Sequence, residues 1–273
     1  MSLGRVHLFE WEDFAWFPSV LRDGGTAFLA FAERHSGHAR CLAPVLSRAL
    51  TATGSTAVLD LCSGAGGPAG VLSEALSAEH PSLAVTLTDR YPNPAAWAAL
   101  EASTAGRVKG LSRPVDARAV PDDLDGFRTL FNAFHHFRPD DARAILADAM
   151  RARRPIGVFE VVSRELPMLV GLLASPVTAT LSMPFWRPFR WAWVPLTLLV
   201  PVMQLFILWD GLVSWLRIYD LDALRALTAD LDDPDWVWEL GKTRLGAAPL
   251  HATWLIGRPR RPDEATPPSA LQT

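Results

Sequence analysis

Residues 57–67, AVLDLCSGAGG, constrain the fold more than any other stretch. An apolar run closes on an acid, Asp60, and opens into glycines where a helix would start. That is the pattern of the first strand, turn and helix of a nucleotide-binding α/β unit. A second apolar strand, LAVTLTDRY, ends in Asp89, 25 residues after Gly64, near the spacing at which such folds set an acid against a ribose diol. Together the two segments imply a cofactor containing adenosine.

Gly64, Gly66 and Gly70 also satisfy the loose spacing that dinucleotide enzymes wrap around a pyrophosphate, so the glycines alone leave an NADP-dependent reductase open. Asp60 shifts the balance. A carboxylate at the mouth of the turn repels a pyrophosphate but suits a ligand bearing an ammonium and a sulfonium, as S-adenosylmethionine does. The order VLDLCSGAGG, TLTD, PVDARAV, FRTLFNAFHHF closely resembles the motif series of class I S-adenosylmethionine-dependent methyltransferases, over roughly residues 55–163. The resemblance implies an α/β fold with a Rossmann-like, doubly wound, mainly parallel seven-stranded sheet. It puts Asp60, Cys62, Gly64 and Gly66 around the methionine and ribose, and Asp89 with Arg90 at the ribose hydroxyls. Asp116 and Ala117 come beside the adenine, and Asn132 under the methionine end. Cys62 stands where that family most often has the first glycine of the loop; a small thiol fits there if the backbone keeps φ negative. The strand before Asn132 continues as FNAFHH, without the Asp-Pro-Pro-Tyr or Asn-Pro-Pro-Tyr series of enzymes that methylate base or glutamine amide nitrogens. That argues against DNA amino-methylation. The chain as a whole also resembles a group of bacterial methyltransferase-like proteins that share the FEWED, TDRYPNP, GFRTLFNAFHHF and WDGLVSWLR segments.

Size and charge agree with one catalytic domain carrying additions. The 273 residues suffice for a large core, and the formal net charge of -3, with no long basic run, gives no phosphate-tracking surface. Nucleic acid is not expected as a partner. Cys41 and Cys62 are too few for a disulfide framework, and the first twenty residues place Glu10, Glu12 and Asp13 among aromatics where a signal peptide would be apolar. A reducing cytoplasm is the expected location.

Four segments follow from composition and periodicity. Residues 1–52 form an N-terminal helical lid, with aromatic FEWEDFAWFP followed by two helices over the open edge of the sheet. Trp11, Phe14, Trp16 and Phe17 either line a substrate wall or staple the helices to the core. Residues 53–164 and 218–260 form the cofactor-binding sheet, ending in the antiparallel strands DWVWELGKT and HATWLIGRP, with a helix over about 221–231 before them. Residues 165–217 form a hydrophobic insert, and the proline-rich stretch 261–273 is expected to be disordered. Within the insert, 166–186 and 191–209 carry no charge over 21 and 19 residues. Three readings stay open: a pair of membrane spans, an interfacial hairpin, or a soluble lid whose apolar sides line a substrate pocket or a homodimer interface. All three point to a hydrophobic small-molecule acceptor, such as a natural-product intermediate or a lipid. A membrane-associated S-adenosylmethionine-binding protein without methyltransferase activity is the alternative.

Methyl transfer requires that nucleophile and methyl be held in line and water shed, with a base when the acceptor is protonated. His135 and His136 follow the fourth strand at the rim where the donor would sit, and Glu160 lies in the fifth. Each histidine either acts on the acceptor or serves as a helix-entry residue, and Glu160 either joins that chemistry or partners a buried arginine. Asp210 and Arg217 flank the insert and are expected to pair with each other. No metal is expected: His135, His136, Asp140 and Asp141 are the imaginable ligands, but no spaced cysteine or histidine pairs support them, and a solvated helix start explains the two aspartates.

Overall fold

Short apolar strands alternating with helices build one mixed sheet, as βαβ connections require. The computed structural model describes residues 5–247, 249–261 and 264. In chain order the elements are α1 (Ser19–Ser36), α2 (Ala43–Thr53), β1 (Ala57–Leu61), α3 (Gly67–Ala75), β2 (Ala84–Leu87), α4 (Pro94–Ser103), β3 (Val108–Gly110), β4 (Phe127–Phe131), α5 (Pro139–Arg151) and β5 (Ile156–Glu160). The insert supplies α6 (Leu166–Leu173), α7 (Ser175–Ser182), α8 (Trp193–Leu198) and α9 (Val202–Arg217). Then come α10 (Leu221–Thr228), β6 (Trp236–Arg244) and β7 (His251–Pro259). The strand order is β3-β2-β1-β4-β5-β7-β6, with β7 antiparallel to both β5 and β6 and the rest parallel. The expected doubly wound, seven-stranded α/β sheet is the one observed.

Alternation along β1 sends Val58 to one face and Leu59 and Leu61 to the other, and each face has its own core. On the first, Leu46 and Leu50 of α2, Leu72 of α3 and Trp97 of α4 cover Val58, Val85 and Phe159. On the second, Ile145 and Leu146 of α5 and Leu224 and Leu227 of α10 cover Leu59 and Leu130. Local signals set the helix ends. Pro94 begins α4 behind an Asn93 side chain that accepts from the Ala96 N–H, and Asp220 caps α10 by accepting from Ala223. Arg153 adopts a φ of 53°, and α5 stops before it at Arg151. The helix expected to reach Leu231 ends at Thr228.

The N-terminal segment divides. α2 does not lie over an open edge: Leu42, Val45, Leu46 and Leu50 are all buried in the sheet core, each full burial contributing about 1.5–3 kcal/mol. α1 instead joins the insert, where Phe17, Leu21 and Ala27 pack with Trp193, Met203 and Phe206 in a third cluster. That arrangement follows from Gly24 and Gly25, whose missing side chains leave room for Met203 and Phe206 of α9. The apolar runs 166–186 and 191–209 are broken into short helices at turns near Pro176, Pro184, Pro195 and Pro201. Among the described residues no single helix is long and apolar enough to cross a membrane, while α6 and the stretch Ser175–Phe185 form one apolar pair bent by 54°. Of the proline-rich stretch 261–273, only Arg261 and Glu264 belong to the described residues.

α1 and α3 approach most closely at Gly67, where an added Cβ would sit 2.7 Å from the Ala30 Cα. Backbone cannot yield as a side-chain tip does. Gly67→Val is therefore expected to cost about 1–3 kcal/mol through overpacking, lowering the thermal midpoint by about 2–4 °C for each kcal/mol, as circular dichroism would measure. An unchanged midpoint would place α1 elsewhere.

Candidate functional site

The C-terminal ends of β1, β2, β4 and β5 meet α1 and the insert in one polar region. At its base the turn after β1 is tied down by its own backbone. Ser63 Oγ donates to the Asp60 carbonyl at 2.9 Å, Ser63 N–H donates to the Thr88 carbonyl at 3.0 Å, and Gly66 N–H donates to the Ser63 carbonyl at 2.7 Å. Closing the turn this tightly puts Cys62, Gly64 and Gly66 at φ 56°, 52° and 75°. Cys62 therefore departs from the negative φ expected for it. The left-handed conformation costs a non-glycine residue roughly 1–2 kcal/mol, which the surrounding hydrogen bonds offset. Burial, with Asp89 and Asp60 nearby, pushes its thiol well up, so it is no thiolate nucleophile.

Asp89 is the keystone of this corner. Its Oδ2 accepts from Gly64 N–H at 2.9 Å and its Oδ1 from Tyr91 N–H at 2.8 Å, while Trp97 Nε1 donates to the Gly64 carbonyl at 2.9 Å. Asp60 is buried and accepts from Thr129 Oγ1 at 2.6 Å. Burial pushes Asp60 up to about 6, with Asp89 adding to it, and burial raises Asp89 as well, against the hydrogen bonds from Tyr91 and Gly64 and the charges of His136 and Arg22. The corner is short of positive charge. Arg22 reaches over the Tyr91 ring at 4.2 Å, and exposed Arg90 lies 5.9 Å from the same ring.

The other expected cofactor residues are more committed to their neighbours. Asn132, at φ 50°, accepts from Val161 N–H at 2.7 Å through its side-chain oxygen and so fastens the end of β4 to β5. Asp116 is held by the Arg118 guanidinium, which lowers its pKa, and Arg118 continues to Asp141 at 3.1 Å. Ala117 is buried beside them. Gly70 lies further into α3, packed on Leu100.

His135 and His136 occupy a short 3-10 turn, Phe134–His136, after β4. Glu160 grips His135 twice, accepting from its backbone N–H at 3.0 Å and from Nδ1 at 2.9 Å. A carboxylate only accepts, so Nδ1 carries the proton and Nε2 of the neutral ring carries the lone pair. That Nε2 is buried, has no hydrogen-bond partner among the described residues and lies 4.0 Å from Glu10 Oε1. His136 has a different environment. Its Nδ1 is 3.0 Å from Asp13 Oδ1 and 3.4 Å from Glu10 Oε2, and its Nε2 is 3.5 Å from Glu12 Oε1. Burial alone would depress its pKa, but Glu10, Asp13 and Glu12 hold it up at about 10. His136 is thus a standing cation, and His135 is the histidine equipped to take a proton.

Glu10, Glu12 and Asp13 bring in the N-terminal strap, whose aromatics the sequence offered as a substrate wall but whose acids it did not assign to the site. Asp210 of α9 accepts from Trp11 N–H at 3.0 Å and Glu12 N–H at 3.2 Å. Arg217 lies 3.0 Å from Glu10 Oε1, and donates to Asp13 Oδ2 at 2.6 Å and to the Leu8 carbonyl at 2.6 Å. The expected Asp210–Arg217 pair does not form. Seven residues apart on one helix, the two are separated by nearly two turns, about 10 Å of rise, and each holds a different part of the strap. Burial pushes Asp210 up to about 8, with Glu12 and Glu10 adding to it. Acids set among aromatics in FEWEDFAWF were the available signal, since buried carboxylates need partners.

Two sets of side chains could hold a metal ion by distance: Glu10, His135 and His136, and Glu10, Glu12 and Asp210, each with ligand atoms within 4.8 Å of one another. Both center on the strap and not on the Asp140 and Asp141 considered from sequence; Asp140 is fully exposed and Asp141 pairs with Arg118. Arg217 and protonated His136 already supply positive charge to Glu10 and Asp13.

No family model and no curated protein matches the sequence. Solved structures do share its fold. The plantazolicin methyltransferase BpumL, in complex with SAH, aligns with TM-score 0.50 and 11% identity over 89% of this chain and 88% of its own. TnmH aligns with TM-score 0.51 and 23% identity over 92% of this chain, which spans 61% of TnmH. Likeness at these identities establishes the common Rossmann-like fold.

Above pH 6.5 the charged strap makes stability fall as pH rises, whereas Asp13, held low by His136 and Arg217, acts only at acid pH. His136 has a folded pKa above its ordinary 6.5, so its contribution is complete below that pH and is lost as pH rises to about 10. Asp210, raised from 3.8 to about 8, also loses its contribution as pH rises, but over a lower window. Urea unfolding is expected to show stability falling from pH 6.5 to about 10. Asp13→Asn should shrink the fall in its upper part by removing a carboxylate that holds the His136 proton; an equal fall in both proteins would show that His136 is not the group titrating.

Proposed function

We propose that this chain is an S-adenosylmethionine-dependent methyltransferase acting on a hydrophobic small molecule. The observation that carries the reading is the corner formed by Asp60, Asp89 and the Gly64–Gly66 turn. It has two carboxyls whose pKa burial raises, Asp60 buried and Asp89 partly exposed, set at the mouth of β1 and β2 with no ion pair to either among the described residues. An ammonium and a sulfonium would relieve that imbalance, whereas a pyrophosphate would worsen it. The shared fold with BpumL, whose structure holds SAH, supports the same choice.

The residues fit the cofactor in chemistry. Asp89 and Arg90 stand where a ribose would be met, Asp60 and the turn glycines beside the amino-acid end, Asp116 and Ala117 toward an adenine, and Asn132 at the junction with β5. When bound, S-adenosylmethionine supplies an electrophilic methyl group. The chain's own part is to position an acceptor, exclude water and take a proton. His135 Nε2, its partner nitrogen fixed by Glu160, accepts the proton of a hydroxyl or amine acceptor. Glu10 of the strap lies 4.0 Å from that nitrogen, and the buried ring is kept from water. The cation at His136 faces the carboxylates of the strap and steadies it.

Titration calorimetry with S-adenosylhomocysteine and with NADPH tests the assignment. Binding of the first alone is expected, and Asp89→Ala should weaken it about ten- to a hundredfold through loss of a charged hydrogen-bonding group. Binding of NADPH alone would overturn it. With a donor bearing a labelled methyl, cell extract should yield a labelled apolar product. His135→Gln should bind S-adenosylhomocysteine as the parent does yet form that product about 10²–10⁴-fold more slowly; unchanged turnover would remove His135 from the chemistry.

A further inference from the structure

Every exposed large apolar side chain among the described residues falls in 6–29 or in 166–209; the sheet and its covering helices show none. Along α6, α7 and the turn after them, Leu166, Val170, Leu173, Val177, Leu181 and Phe185 recur at intervals of three or four, which sets them on one outward stripe. Leu166 and Leu181 are 73% and 71% exposed, and beyond the turn Trp191 and Leu199 reach 80% and 79%. The stripe continues through Leu205 and Trp209 of α9. There the Trp209 ring packs tilted at 5.2 Å against exposed Phe9 and its Nε1 donates to the Phe9 carbonyl. The strap and the insert thus present one apolar face.

The inward side of the same helices packs Ala179, Met183, Trp193 and Met203 into an apolar cluster, and hydroxylated side chains are buried with them. Ser175, Ser182 and Thr197 are buried, Ser182 Oγ accepts from Trp186 Nε1 at 2.9 Å, and Gln204 Nε2 donates to Thr180 Oγ1 at 2.9 Å and to the Thr197 carbonyl at 2.6 Å. The Oγ of Ser175 and the Oγ1 of Thr197 have no partner among the described residues. Water favours the reverse distribution, with hydroxyls out and leucines in. Helices immersed in hydrocarbon place small and hydroxylated side chains at their mutual contacts and apolar ones outward.

We propose that this face docks on the surface of a lipid bilayer, with α6, α7 and the turn after α8 lying in its upper acyl layer. Charge chooses the bilayer over a second copy of the chain. From 166 to 209 there is no carboxylate, and the two charges are Arg187 and Arg190. Arg190 is answered within the chain by Asp23 at 2.7 Å. Arg187 is exposed, donates to the Pro184 and Trp186 carbonyls and comes four residues before exposed Trp191 in the sequence. A lipid phosphate meets that guanidinium, and an indole belongs at the same depth. A second copy offers no acid on this face to receive it.

Flotation of the full chain with phosphatidylcholine vesicles containing phosphatidylglycerol tests the proposal without reference to the cofactor. The parent protein is expected to rise with the vesicles. The double substitution Leu181→Glu and Leu199→Glu should lower the floated fraction about tenfold while leaving the melting curve unchanged, since both side chains are exposed. A parent protein that stays in the dense fraction, or a variant that floats as well as the parent, overturns the proposal. So does a lipid-free dimer in sedimentation that the double variant dissociates, because the face would then belong to a second copy.

Discussion

The guanidinium of Arg217 is the point on which the arrangement of the site turns. Buried at the end of α9, it holds Glu10, Asp13 and the Leu8 carbonyl together. Those acids in turn face His136. A buried charge of this kind is tolerable only when fully paired, and removing one partner of such a group costs several kcal/mol in general. The strap is therefore not a loose covering. It completes an electrostatic circuit that begins on the insert and ends on the 3-10 turn after β4.

Two adjacent histidines acquire opposite characters from that circuit. His135 faces Glu160 from β5, a strand inside the sheet, and its position is as rigid as the sheet itself. His136 faces the strap, so its charge depends on whether the strap is in place. One ring keeps a nitrogen without a hydrogen-bond partner among the described residues and its neighbour carries structural charge, although nothing in the dipeptide distinguishes them. Environment divides the roles of like groups, as it does for paired carboxylates in other enzymes.

Much of the sheet could be read in advance because its signals are local. The run ending at Asp60, the glycine turn, Asp89 at the next strand end and the final antiparallel pair all reflect periodicity and turn chemistry within a few residues. Asp89 was legible as a site residue, but not as the acceptor for Gly64 N–H, which depends on how two turns lie against each other. The sign of φ at Cys62 was not legible either: side-chain size argued for a relaxed backbone, while the bonds from Ser63 and Gly66 force the left-handed one. Asp210 and Arg217 were recognised as charges in need of partners, yet proximity in sequence suggested each other. Their real partners lie at the opposite end of the chain, where no periodicity reaches.

That distance bears on how the protein is made. The bonds from Trp11 to Asp210 and from Arg217 to Leu8 join residues 199 and 209 positions apart. During synthesis, which runs from the N-terminus, the strap has no anchor until α9 has left the ribosome, and closing so long a loop comes late and slowly. The first strands can pair before then, but the two histidines stay open to water until α9 has emerged. Enclosure of the two rings is thereby tied to α9, which is made after β1–β5 and before β6 and β7, so a product truncated before α9 would carry the five parallel strands alone and an uncovered centre.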